Sequence, residues 1–148
     1  MPKDLEYQLT SFEEFQFPEN SGNRFRIVRT KALSIDEGSE AEQYKNEVFR
    51  LIEQDPEAGY CIDFTGLDIL AADVLAGLIK ISERYEELKG MPIAVSGLNL
   101  MIYEVFAMTR LNRVLRVYRS PDYFNENPLD PDPEVTHLKR TFRLKRVA

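Results

Sequence analysis

Three carboxylates recur every five residues, at Asp63, Asp68 and Asp73. Carboxylates gathered around one loop form the oxygen-rich donor set that Mg²⁺ prefers, so this spacing is the first candidate for chemistry. Other reactive residues are sparse: one histidine, His137, and one cysteine, Cys61. A nucleophilic triad with histidine as base would have to use His137, which lies beyond a proline-rich stretch. Cys61 stands inside the run Tyr60-Cys61-Ile62-Asp63-Phe64, where it reads as a small core hydrophobe. No GxxxxGK[ST] loop and no GxGxxG turn occurs, which removes the P-loop and dinucleotide-binding motifs. A single cysteine and a single histidine exclude an intramolecular disulfide framework and a Cys- or His-rich zinc site.

The carboxylates must be positioned by the elements around them. Ala41–Gln54 carries Tyr44, Val48, Leu51 and Ile52 at helical spacing. Tyr60–Phe64 is a short continuous apolar run, suited to a strand covered on both faces. Asp73–Leu88 reads as a second helix, with Asp73 as its N-cap and Gly90 as its stop. Pro92–Val95 is a further strand, and Asn99 caps a third helix through Met108. Val114–Tyr118 is the last strand. Upstream, Leu5–Phe12 reads as an edge strand, Arg24–Leu33 as a strand with one wet face, and Ser34–Ser39 as a loop. The β-α-β-α-β-α-β order predicts an α/β domain with a largely parallel sheet and right-handed crossovers. Binding then falls on Thr65–Ala72, the loop beyond the carboxyl end of the Tyr60–Phe64 strand. Asp63, Asp68 and Asp73 surround this loop. A phosphoreceiver pocket would also need an acidic pair after the first strand and a lysine after the last. Asp36-Glu37 lies in a loop instead, and Arg119 follows Tyr118. The three aspartates therefore read as solvated loop carboxylates and a helix cap, with no cofactor or metal expected.

The 148 residues have the length of one domain, and nine Phe and seven Tyr supply a core. Lys and Arg number 19 against 25 Asp and Glu, a formal charge of −6, which disfavours nucleic acid as a partner. The charge divides unevenly. Residues 134–148 hold Lys139, Arg140, Arg143, Lys145 and Arg146 against Glu134 alone, a net of +4 that leaves −10 for residues 1–133. The breaker run Asn125–Pro133 separates them. The expected organisation is one domain over 1–124 with its core at 24–118, a linker over 125–133 and a basic tail over 134–148. The tail has three readings: it packs on the acidic domain, it reaches an acidic partner or neighbouring subunit, or it meets a membrane surface or nucleic acid. No apolar run approaches the ~20 residues of a membrane span, and MPKDLEYQLT lacks the apolar stretch of a signal peptide. A reducing, cytoplasmic setting is expected.

From about Arg24 to Tyr118 the chain resembles the STAS family, the anti-sigma-factor antagonist fold. The resemblance rests on Asp63-Phe64-Thr65-Gly66-Leu67-Asp68-Ile69-Leu70 with the helix that follows, and on Leu98–Tyr118, especially Val105-Phe106-Ala107-Met108-Thr109-Arg110-Leu111-Asn112-Arg113-Val114. It implies an α/β fold with a mixed, largely parallel sheet of four to five strands and helices packed against it, and a non-enzymatic binding module. Its partner would be an anti-sigma factor, a serine kinase of the histidine-kinase-like ATPase type, released when a serine at the start of the second helix is phosphorylated. The family's Asp-Ser-Ser-Gly falls here on Ala71-Ala72-Asp73-Val74, so the phosphoacceptor position is Asp73. A serine kinase can modify neither Ala72 nor Asp73. Asp73 either imitates the phosphorylated state with a single permanent charge or serves as a cap alone. The implied partner surface comprises Thr65, Asp68, Leu70, Ala71, Ala72, Asp73, Val74 and Leu78. Two other uses of the loop stay open: a structural STAS subunit of a larger signalling or transport complex, and a small-molecule or nucleotide site. A homo-oligomer also stays open.

Overall fold

Seven strands and five helices follow one another in a computed structural model, which describes residues 8–18, 21–36 and 38–130. In chain order they are β1 (Thr10–Gln16), β2 (Arg24–Thr30), β3 (Ser34–Ile35), α1 (Ser39–Gln54), β4 (Gly59–Asp63), β5 (Ile69–Leu70), α2 (Ala72–Lys89), β6 (Ala94–Ser96), α3 (Leu100–Met108), α4 (Leu111–Val114), β7 (Arg116–Tyr118) and α5 (Pro121–Glu126). The main sheet has the order β1-β2-β4-β6-β7. β1 is antiparallel to β2, and every other pair is parallel. The parallel part follows the alternation of elements, and the mixed, five-stranded sheet is the one the resemblance implies.

The register sorts side chains onto two faces. Val28, Tyr60, Ile62, Val95 and Val117 point to the face covered by α1–α4, where Tyr44, Val48, Leu51, Val74, Leu78, Phe106 and Leu111 complete the larger core. Phe25, Ile27, Cys61, Ala94 and Tyr118 point to the other face. There α5 delivers Phe124, and Phe15, Phe17 and Tyr123 close the rim. Phe124 meets Phe15, Phe25 and Tyr118 edge-on, an arrangement that aromatic rings favour. A buried carboxylate fixes the start of β1. Glu47 of α1 accepts from the amides of Leu9 and Thr10, both at 3.0 Å, and from the Thr10 hydroxyl at 2.8 Å.

Several boundaries differ from expectation for identifiable reasons. The edge strand starts later, at Thr10, and residues 5–7 lie outside the described residues. The wet strand ends at Thr30, and the expected loop at 34–39 opens with β3, which pairs in parallel with β5. Strands of two residues carry no periodicity to read. The chain after Tyr118 forms α5, because the Ser120 hydroxyl accepts from the Tyr123 amide at 3.2 Å and Pro121 occupies the first turn. The expected linker thus begins inside a helix, at Asn125 and Glu126. It continues against the sheet, where the carbonyls of Pro128 and Asp130 accept from Arg116 and the Tyr118 hydroxyl. The basic tail, 134–148, lies outside the described residues.

Burial sets an alkaline limit on this core. It pushes the Cys61 thiol up from 9.0 to about 12 and the Tyr60 phenol from 10.0 to about 12, and it raises Tyr44 and Tyr85 as well. A folded value above the unfolded one means stability is fully present below the unfolded value and is lost as pH rises from there through the folded one. Urea unfolding should therefore show stability falling from about pH 9 toward 12. At pH 8 the native Cys61 should resist iodoacetamide that labels it fully in urea. Equal labelling rates in the two states would contradict the burial.

Candidate functional site

The loop after β4 is held from three sides. The Leu67 amide bonds the Phe64 carbonyl at 2.9 Å across a tight turn, where Gly66 adopts a φ of 88°. The Asp68 amide bonds the Leu33 carbonyl at 2.7 Å, and the Ala71 amide bonds the Ile35 carbonyl at 2.8 Å. Asn99 joins from the far side. Its amide donates to the Leu67 carbonyl at 3.0 Å, while its Oδ1 caps α3 by accepting from the Ile102 amide at 2.8 Å. One side chain therefore fixes the start of α3 relative to the loop.

Beneath the loop lies a polar network that the motif alone did not reveal. Asp63 is 2% exposed, at the carboxyl end of β4. Its Oδ1 accepts from the Thr65 hydroxyl at 2.8 Å and the Ser96 hydroxyl at 2.9 Å. Its Oδ2 accepts from Arg29 Nη1 at 3.1 Å. The Cys61 thiol donates to Ser96 Oγ at 3.4 Å, which extends the chain of donors. Thr30 donates to the Asp63 carbonyl at 2.8 Å, so the Tyr44 hydroxyl, 2.8 Å from Thr30 Oγ1, acts as donor to it. Both carboxylate oxygens of Asp63 are thus occupied by donors from three other residues. Gly97 completes the site: a Cβ there would stand 2.5 Å from Asp63 Oδ1 and 2.8 Å from the Thr65 amide nitrogen. Arg29, Ser96 and Gly97 escaped the sequence reading because they lie on β2, on β6 and just after β6, far from the loop in the chain. The one available signal was a buried-strand pattern ending in a charged residue.

The three aspartates do not converge. Asp63 is buried in its hydrogen bonds, whereas Asp68 and Asp73 are exposed on the loop and on α2. Among the described residues no group of three or more His, Cys, Asp or Glu side chains is placed to hold a metal ion. Asp73 is not the N-cap. The β3–β5 pairing and the Ala71–Ile35 bond hold Ala71 extended, at φ −62° and ψ 147°, so the helix begins at Ala72 and Asp73 falls in its first turn. Its charge still favours the positive end of the helix dipole. It also lines a groove of about 340 Å³ between α1 and α2, together with Glu42, Lys45, Phe49 and Lys80.

The remaining expected site residues divide by direction. Thr65, Asp68, Ala72 and Asp73 are exposed and Leu70 is half-buried. Ala71, Val74 and Leu78 are buried in the core, so only the outer side of this segment can touch another molecule. Large apolar side chains flank the loop instead: Leu33 is 74% exposed, Ile69 56%, Met101 70% and Leu100 41%. The bonds from Leu33 and Asn99 to the loop place all four beside it.

The fold as a whole superposes on solved structures. A candidate anti-sigma factor antagonist, TM1081 of Thermotoga maritima, superposes with a TM-score of 0.63 at 13% identity, over 82% of this chain and 95% of that one. The fold is STAS-like. A second structure of TM1081 gives 0.55 at 18% identity, over 68% of this chain and 80% of that one. The murine anion transporter Slc26a9 gives 0.54 at 15% identity, over 80% of this chain and 22% of the transporter. No protein-family model and no curated protein matches the sequence. Among the described residues no helix is long and apolar enough to cross a membrane.

Proposed function

We propose that this chain is a non-enzymatic, cytoplasmic regulatory binding protein of the anti-sigma-factor antagonist kind. It docks a protein partner, an anti-sigma factor of the serine-kinase, histidine-kinase-like ATPase type, through the loop at the carboxyl end of β4. The observation that carries this reading is the set of exposed Leu33, Ile69, Leu100 and Met101 around a loop made rigid by Asp63 and Asn99. Apolar side chains held in water on a rigid support are the usual anchors of a protein interface. The likeness to TM1081 supports the same class of partner. Docking here is independent of serine phosphorylation, because Ala72 and Asp73 occupy the start of α2.

The test is calorimetric titration of the full chain against a panel of purified anti-sigma kinases. Ile69→Asp and Met101→Asp should each weaken binding about 30-fold, roughly 2 kcal/mol. Their melting temperatures should stay within about 2 °C of the parent, as expected for exposed positions. Kinase with ATP should leave residues 71–74 unlabelled. Undiminished binding by both variants would remove the loop from the interface.

A further inference from the structure

The main sheet ends on one side in β7, a strand of three residues, and on the other in β1, a strand of seven. A long edge presents a row of unpaired backbone groups, a template for another strand unless proline, lysine, other charges or a bulge block it. β1 contains no proline and no lysine. Its register with β2 runs unbroken from Thr10↔Thr30 to Gln16↔Arg24, so it has no bulge either. Its remaining protection is the charge of Glu13 and Glu14, and β2 cancels it. Arg29 Nε stands 2.6 Å from Glu13, while Arg26 Nε and Arg24 Nη1 stand 3.0 and 3.3 Å from Glu14.

Parity decides which backbone groups of this edge are open. The Lys31 amide donates to the Leu9 carbonyl at 2.8 Å, and the Phe17 amide to the Asn23 carbonyl at 3.1 Å. In an antiparallel ladder, hydrogen-bonded pairs alternate with pairs that are not bonded. The odd-numbered residues of β1 therefore bond β2, and the even-numbered ones turn their N–H and C=O outward. Thr10 is closed at this edge, because its amide donates to Glu47 at 3.0 Å. Phe12, Glu14 and Gln16 are left. All three are exposed, and their outward backbone groups meet no partner among the described residues. The Phe12 ring is 42% exposed, with the Arg26 guanidinium 4.3 Å from its centre.

We propose that two copies of this chain dimerise by antiparallel pairing of their β1 edges about a two-fold axis at Glu14. The open run, Phe12–Gln16, is centred on that residue. The two-fold sets Phe12 against Gln16 of the second copy and Glu14 against its own equivalent, so every open N–H meets an open C=O. An axis at Phe12 or Glu13 would engage Thr10, whose amide is already taken. An axis at Glu13 would also set that carboxylate directly against its equivalent, which is destabilising. At Glu14 the charges balance. Each Glu14 carries Arg24 and Arg26 with it, and Asp55 pairs with both arginines.

Sedimentation velocity of the full chain tests this. The mass should rise from monomer to dimer as concentration increases from about 1 to 300 μM, by mass action. Gln16→Pro removes an outward N–H and no bond to β2, a position where an edge strand tolerates proline. It should raise the dimer dissociation constant at least about 10-fold, since one bond is lost on each side of the axis. At the lowest concentration its melting temperature should stay within about 2 °C of the parent. Glu14→Cys should form a disulfide-linked dimer under mild oxidation, because the paired Cα atoms would stand about 5.5 Å apart. Ser11→Cys should not, because its equivalent would lie about 20 Å away along the pair. Cys61 is buried and takes no part. A monomer at every concentration overturns the proposal. So does a Gln16→Pro chain that dimerises as tightly as the parent, or a Ser11→Cys chain that links as fast as Glu14→Cys.

Discussion

Gly97→Ala should destabilise the protein by about 3–5 kcal/mol. Two physical terms make up the figure. The backbone at Gly97 has a φ of 70°, where a residue with a Cβ is strained by roughly 1–2 kcal/mol. The added carbon would also stand 2.5 Å from Asp63 Oδ1 and 2.8 Å from the Thr65 amide nitrogen. Neither is the free end of a flexible chain. Relief requires that β4 and the loop move away from β6, which breaks one or more hydrogen bonds to Asp63 worth about 1.5–3 kcal/mol each. At this chain length the melting temperature should fall by about 10–15 °C. Thermal and urea unfolding check this directly. A loss below about 1 kcal/mol would mean that Gly97 does not approach Asp63 as closely as described.

The second large effect is expected from Asp63→Ala. Removing a carboxylate that serves Arg29, Thr65 and Ser96 leaves a guanidinium without its buried partner and a Ser96 hydroxyl without an acceptor. Such one-sided deletions cost about 3–5 kcal/mol when both partners are buried. Arg29 keeps its bond to Glu13 and has a side chain 35% exposed, so about 2–4 kcal/mol is expected. The double variant Asp63→Ala/Arg29→Met should recover at least about 1 kcal/mol relative to additive losses. Additive losses would show that Arg29 and Asp63 do not depend on each other. Partner binding should fall further than stability alone explains, because Thr65 loses the bond that holds the start of the loop.

Legibility in the sequence followed the length of the pattern. α1, α2 and α3 announced themselves through apolar spacing, and Gly90 and Asn99 marked their ends as expected: Gly90 is left-handed at φ 75° and Asn99 caps α3. The parallel strands could be read as short apolar runs because both faces are covered. β3 and β5 were invisible, since two residues support neither alternation nor a propensity argument. Their effect was not small. By tying Ala71 to Ile35 they moved the start of α2 and turned Asp73 from an expected cap into an exposed first-turn residue. The Ser120-Pro121 pair was a readable helix start, but the prolines that follow concealed it.

Residue order alone carries the class of fold and the absence of a serine at the start of α2. These depend on order and on periods of two to four residues, which a linear chain carries in full. Only the tertiary structure decided which side of Thr65–Leu78 faces outward, and that Val74 and Leu78 belong to the core. It alone brought Arg29, Asp63 and Ser96 into one network. Those residues lie more than 30 positions apart, and only the side-by-side parallel register of β2, β4 and β6 places their side chains on one face at one end. Apolar periodicity states that a strand has two faces. Which strands neighbour it, and in what register, is settled by packing across the whole sheet.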